Sequence, residues 1–248
     1  DRGIVFASDT RTNAGLDNIA VFNKMHVWDQ FADRTLVLLS AGNLAVTQAV
    51  IALLNEQLTD ERTDEQTIAN VPTMFQAARL IGAAIRKVRE IDGEALGYSA
   101  DSFSVTLILG GQIKGDTMRL FQIYREGNFI EATEDTPYFQ IGEHKYGKPI
   151  LDRVAKRDMR MGDAGKLVLL SFDSTLRSNL SVGLPIDMCI YRRDTFHLGE
   201  RERIGADNAY YRALSEGWSA ALRKAFDDIK GYEGAPELMR VKPDLNDD

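Results

Sequence analysis

Apolar and polar positions along the chain change period several times, and each change predicts a different element. GIVFAS reads as a buried strand, and DTRTNAGLDN, rich in Asp, Asn and Gly, as the turn that follows it. IAVFNKMHVW alternates apolar and polar positions, the period-2 pattern of a half-buried strand. RTLVLLSAG is a third strand, ending at a glycine. The period then lengthens. Leu44, Val50, Ile51, Leu54 and Leu58 recur at helical spacing behind Asn43, whose side-chain oxygen suits an N-cap. VPTMFQAARLIGAAIRKVREI predicts a second long helix, with Leu80, Ile81, Ala84, Ile85 and Val88 along one stripe. SFSVTLILGGQI, TMRLFQIYREG and NFIEATEDTPYFQIG return to strand runs with glycine-bearing turns, as in an antiparallel meander. YGKPILDRVAKR and DAGKLVLLSFDSTLRSN predict another pair of helices, LPIDMCIYRRDTFHLGERERI two closing strands, and DNAYYRALSEGWSAALRKAFDDI a last helix.

Helices therefore come in pairs between groups of strands. A doubly wound parallel sheet needs a crossover helix for each successive strand. The pattern predicts instead an α+β fold, a four-layer αββα sandwich with two antiparallel sheets between helix layers. No repeat and no linker interrupts 1–230, which predicts a single domain. The stretch 231–248 combines Gly, Pro and acidic residues and is expected to be a flexible tail or an intersubunit arm.

Composition changes this picture little but excludes several functions. The net charge of −7 offers no electrostatic footprint for nucleic acid, so no nucleic-acid partner is expected. No apolar run approaches the ~20 residues that span a bilayer, and no charged-then-apolar leader is visible, so no membrane partner is expected. The one cysteine, Cys189 in DMCIY, cannot form an internal disulfide, which fits a reducing, cytoplasmic setting. Its apolar neighbours mark it as a small buried hydrophobe. His26, His144 and His197 are scattered, with no HExxH or Cys/His pairing, and no glycine-rich phosphate loop occurs. Neither a metal nor another cofactor is expected.

The candidate chemistry lies in the first quarter of the chain. Asp9 closes a strand in ASDTRT, Lys24 follows in FNKMH, and SAGN at 40–43 joins a strand to a helix. Each has a plain structural reading: a turn-forming aspartate, a solvated lysine, a glycine required by a turn. As a pair, Asp9 and Lys24 read either as a salt bridge between strands or as catalytic groups.

In this order the three resemble the proteasome β-subunit family of N-terminal nucleophile hydrolases. GIVFASDTRTNAG, KMHVW, LLSAGNLAVTQAV, GEHKYGKPILDR, DSTLRSNLSVGLPID and MCIY look like its bacterial Anbu (ancestral β subunit) branch. The resemblance covers nearly the whole chain. It implies a threonine-type peptidase or amide hydrolase whose N-terminal threonine lies upstream of DRGIV. Threonine is a weak nucleophile unless activated by a neighbouring base. The resemblance assigns Lys24 as its electrostatic and proton-transfer partner, Asp9 as the orienter of Lys24, and Gly42 N–H as an oxyanion donor. Thr10, Arg11 and Thr12 fall in the family's substrate-groove segment. The accessory serine, aspartate and serine positions fall on Glu143, Asn179 and, with a one-residue shift from Val182, Ser181. That altered set makes a catalytically weak or inactive assembly module the alternative.

A homo-oligomer is implied, a ring or open spiral, with a peptide or peptide-like substrate. The helices 44–58 and 71–91 have enough apolar residues to cover a sheet and meet a neighbour. Three further groups have plainer readings. Glu143, His144 and Lys145 lie in a glycine-flanked bend, read as a solvated turn or a contact with substrate or a neighbouring subunit. Asp173 and Asp187 are too distant in sequence to pair on that basis. Arg201, Glu202 and Arg203 form an alternating charge cluster suited to a surface or subunit contact.

Overall fold

The computed structural model describes residues 2–13, 19–59, 66–93, 103–199 and 201–232. Their elements run β1 (Gly3–Asp9), β2 (Arg11–Asn13), β3 (Ile19–Val21), β4 (Met25–Phe31), β5 (Arg34–Gly42), α1 (Leu44–Thr59) and α2 (Met74–Asp92). They continue with β6 (Val105–Ile113), β7 (Arg119–Ile123), β8 (Phe129–Glu131), α3 (Lys148–Val154) and α4 (Met161–Ser178). β9 (Ile186–Arg192), β10 (Arg201–Ile204) and α5 (Ala209–Asp228) complete the order.

β5 explains why RTLVLLSAG lacks alternation. Successive side chains of a strand point to opposite faces. Leu36 and Leu38 face a cluster with Val50, Leu54, Ile81 and Ile85 of α1 and α2. Val37 and Leu39 face a second cluster with Phe6 of β1, Ile108 of β6 and Cys189 and Tyr191 of β9. Both faces are covered, so every position from Leu36 to Leu39 is apolar. A third cluster joins Leu169 of α4, Ile186, Ile204 and Tyr211 of α5. Three apolar clusters separate four layers. One sheet has the order β4-β5-β6-β7-β8, the other β1-β9-β10, and all their pairings are antiparallel. This is the α+β, αββα arrangement that the paired helices predict.

The helix starts follow their capping residues. Asn43 Oδ1 accepts from the backbone N–H of Ala45 at 2.9 Å, and Thr73 Oγ1 accepts from Gln76 N–H at 3.2 Å. No described helix is long and apolar enough to cross a membrane.

Three predicted boundaries are corrected. IAVFNKMHVW is not one strand: β3 pairs with β2, whereas β4 pairs with β5. The chain changes partner at Phe22–Lys24, where Phe22 N–H donates to Thr10 O at 2.8 Å and Ser40 N–H to Lys24 O at 3.0 Å. The predicted turn DTRTNAGLDN contains β2, and its residues 14–18 lie outside the described residues. NFIEATEDTPYFQIG is a strand only over Phe129–Glu131. Of the expected tail, Gly231 and Tyr232 are exposed and 233–248 lie outside the described residues.

Two features of this packing give measurable consequences. α2 meets the β7–β8 turn backbone to backbone: a Cβ on Gly82 would lie 2.1 Å from Gly127 O. Gly82→Ala must push these segments apart, and urea unfolding is expected to show a loss of about 1–3 kcal/mol in unfolding free energy. Burial pushes the Cys189 thiol up to about 12, so the reactive thiolate is suppressed. At pH 8 the folded protein should leave a thiol reagent unconsumed, and addition of denaturant, which returns the thiol to its ordinary ~8.5, should release one equivalent.

Candidate active site

The partner exchange at Phe22–Lys24 brings two distant segments together. Asp9 ends β1 in the three-stranded sheet, and Lys24 immediately precedes β4 in the five-stranded sheet. Lys24 Nζ lies 2.7 Å from Asp9 Oδ1. Asp9 Oδ2 accepts from Arg11 N–H at 3.1 Å and Gly183 N–H at 3.3 Å. Thus one carboxylate ties the lysine, its own turn and the loop before β9. The pair is largely shielded, with side chains 20% and 12% exposed. An ammonium carries three N–H donors, of which Asp9 holds one.

Both residues line a cavity of about 1300 Å³ between the sheets and the α3–α4 layer. Arg2 and β1, from Gly3 to Asp9, form one wall, and Ser40, Ala41, Gly42 and Asn43 form another. Gly42 is the last residue of β5, with φ at 109°, and a Cβ there would lie 2.1 Å from Ser104 O. Only glycine lets β5 end in this left-handed conformation against the backbone of Ser104. Its position on the rim, one residue before the helix cap, suits a backbone donor facing the cavity.

The substrate-groove residues divide. Arg11 and Thr12 line the cavity. Arg11 Nη1 also donates to Leu180 O at 2.7 Å, and its guanidinium occupies the space where a Cβ on Gly183 would fall. Thr10 is fully buried and donates to Pro185 O at 2.9 Å. Its hydroxyl faces the protein interior, unlike the side chains of Arg11 and Thr12.

The accessory positions come together across 36 residues of sequence. Asn179 Nδ2 donates to Glu143 Oε2 at 2.5 Å, while Asn179 Oδ1 accepts from Ser181 Oγ at 2.6 Å and Ser181 N–H at 2.8 Å. Glu143 Oε1 accepts from Lys145 N–H at 2.8 Å. That backbone donor, with the Asn179 amide, holds the Glu143 carboxyl below the usual range. Glu143, Ser181 and Val182 line the cavity; Asn179 supports them from behind.

The remaining charged candidates serve elsewhere. Asp187 pairs with Arg203 at 2.6 Å, Asp173 with Arg177 at 3.2 Å and Arg201 with Asp29 at 3.1 Å. Glu202 accepts from Asn208 Nδ2 at 2.9 Å. His144 and Lys145 are exposed, so only Glu143 of that bend turns to the cavity. Among the described residues no group of three His, Cys, Asp or Glu is placed to hold a metal ion.

Sequence reasoning missed the loop donors that frame Asp9, because a backbone N–H has no signature in residue type. It also missed Ser8 and Gln140, which line the cavity with Ser8 Oγ and Gln140 Oε1 buried and without a partner among the described residues. β1 is an edge strand, its outer side paired with no described strand. These groups make the wall beside β1 receptive to further polar backbone.

Comparison with known proteins places the arrangement in context. Residues 1–191 match the family model described as proteasome subunit. A structure of an Anbu (Gly-1) mutant from Hyphomicrobium sp. strain MC1 is 60% identical, with a TM-score of 0.88, covering 94% of this chain and 96% of that one. Anbu (ancestral beta-subunit) from Yersinia bercovieri is 48% identical over 94% of this chain and 96% of its own, with a TM-score of 0.87. A structure described as the helical assembly of the Anbu complex from Pseudomonas aeruginosa is 44% identical over 95% and 96%, also at 0.87. No curated protein matches the chain.

The ion pair should be measurable as a coupling independent of any reaction. Asp9→Ala leaves a shielded ammonium and two backbone donors unpaired and is expected to cost about 1–3 kcal/mol. Adding Lys24→Met should recover part of that loss. A double-mutant cycle by thermal or urea unfolding is expected to give about 0.5–3 kcal/mol between the two sites.

Proposed function

Because the chain belongs to the proteasome subunit family, in its Anbu branch, we propose that it is a threonine-type amide hydrolase subunit that cleaves peptide or peptide-like substrates in a self-assembled homo-oligomer in the cytoplasm. The observation that carries this reading is the 2.7 Å contact of Lys24 Nζ with Asp9 at the wall of the large cavity. The nucleophile is a threonine at the head of an extended segment preceding Asp1. That segment lies along the free edge of β1, where it meets Ser8 and Gln140 and brings the threonine to Lys24.

The chemistry follows from the charges. The Lys24 ammonium lowers the cost of forming an alkoxide beside it, and Asp9 holds the ammonium in place and balances its charge. The threonine's own α-amine, with an ordinary pKa of ~7.7–8.0, accepts the hydroxyl proton as oxygen attacks the substrate carbonyl. Gly42 N–H stabilises the resulting oxyanion, a donor type worth about 2.7–4 kcal/mol where one has been removed. Collapse of the tetrahedral intermediate breaks the amide bond and gives the departing nitrogen the proton. Water then hydrolyses the threonine ester and regenerates the hydroxyl. Arg11 and Thr12 contact the substrate backbone along the groove. Glu143, Asn179 and Ser181 set the hydrogen bonding available to the α-amine.

One observation favours a second reading, a subunit that assembles without turnover. Asn179 brings no charge, and both ends of its amide are engaged by Glu143 and Ser181. A single experiment separates the readings. Full-length protein is treated with a peptide β-lactone and followed by intact mass and peptide mapping. The hydrolase reading expects one acyl group on an N-terminal threonine, and Lys24→Ala is expected to slow its addition by about 10²–10⁴-fold. Wild-type-rate labelling of Lys24→Ala removes the lysine from the mechanism. No labelling of an assembled wild-type protein selects the second reading.

A further inference from the structure

The chain carries a net charge of −7, yet the stretch from Lys145 to Arg160 reverses that sign, with six lysines and arginines against Asp152 and Asp158. It includes α3 and the turn into α4, and all six cations are exposed. Internal pairing leaves the excess standing. Asp152 is taken by Lys148 at 2.6 Å, and Asp163 in the first turn of α4 holds Arg160 at 2.9 Å. Arg153 and Lys156 have no carboxylate partner among the described residues; Arg153 Nη1 reaches Pro149 O at 3.4 Å.

The basic strip leads into the cavity. Lys156 and Arg157 line it beside Leu151, Ala155 and Met159. Over the whole lining, seven lysines and arginines stand against five carboxylates. Each of those carboxylates is already engaged by the protein: Asp9 by Lys24, Asp116 by Met74 N–H, Glu131 by Arg119, Glu143 by Lys145 N–H and Asp194 by Gln112 Nε2. A cleft with an excess of one sign and low-dielectric walls concentrates ligands of the opposite sign. The shape of the positive region narrows the choice. A broad anionic surface, such as a duplex or a membrane, would meet repulsion from the negative remainder of the chain. A single extended polypeptide is narrow enough to follow the strip, and exposed Tyr146 and Val154 offer its apolar side chains a resting place between the charges.

We propose that the α3 strip and the cavity it enters bind acidic polypeptides, extended segments rich in glutamate and aspartate, and that these are the substrates brought to the threonine. The delivery rests on the hydrolase reading above; the binding does not.

The test uses full-length protein and two short peptides carrying an uncharged fluorophore, one rich in glutamate and one with lysine at every glutamate, with binding read by fluorescence anisotropy. The glutamate peptide is expected to bind and the lysine peptide to stay free. Affinity for the glutamate peptide should fall by about fivefold or more as salt rises from ~0.01 to ~0.1 M, over which the screening length shrinks from ~30 to ~10 Å. Arg153→Glu combined with Lys156→Glu should weaken binding by about tenfold or more, and Arg153→Gln with Lys156→Gln by less, each shown folded by circular dichroism. Equal binding of the two peptides, or wild-type affinity in the charge-reversed variant, overturns the inference. Tighter binding of a single-stranded oligonucleotide of matched length overturns the choice of a polypeptide. Labelling by an uncharged peptide β-lactone is followed in parallel. Labelling without glutamate-peptide binding removes the acidic substrate and leaves the hydrolase; binding without labelling removes the hydrolase and leaves a surface for acidic polypeptides.

Discussion

The Lys24–Asp9 contact depends on a strand changing partners. Lys24 sits where the chain leaves β3 and enters β4, and Asp9 sits where β1 leaves its sheet. The hydrogen bond from Phe22 N–H to Thr10 O holds one side of this junction, and that from Ser40 N–H to Lys24 O holds the other. The ion pair consequently bridges two sheets that pack through Phe6, Val37, Leu39 and Ile108. A shielded lysine needs its counter-ion to remain favourable as a cation, so packing between sheets and charge placement in the cavity are one constraint.

The loop before β9 extends that constraint to the opposite wall. Gly183 N–H reaches Asp9, Leu180 O receives Arg11, and Asn179 joins Glu143 to Ser181. These contacts convert residues from β1, the 141–147 bend and the end of α4 into one polar rim. The rim has its own direction of hydrogen bonding. Glu143 accepts from the Asn179 amide, so the amide oxygen faces Ser181 and accepts a hydrogen bond from its hydroxyl. In the proposed mechanism, this leaves Ser181 Oγ with lone pairs for a donor.

The helical layers have different tasks. α1 and α2 are buried over the five-stranded sheet by a continuous cluster, whereas α5 commits only its first half to the body. The first arrangement holds the cavity wall at β5; the second leaves an apolar stripe directed outward.

Much of the architecture was legible from local chemistry. RTLVLLSAG read as a strand, Asn43 marked a helix start, and paired helices excluded a doubly wound sheet. Asp9, Lys24 and Gly42 were legible because their order and neighbours resemble a family, not because of any one residue type. The sequence could not determine where IAVFNKMHVW breaks, since alternation persists while the hydrogen-bond partner changes. Nor could it show that Thr10 turns inward while Arg11 and Thr12 reach the cavity, a matter of one residue in strand direction. The Glu143–Asn179–Ser181 chain and the Gly183 donor join segments far apart in sequence through hydrogen bonds whose geometry only the folded backbone supplies. Residue type determined which groups could donate, accept or carry charge; tertiary packing decided which of them meet.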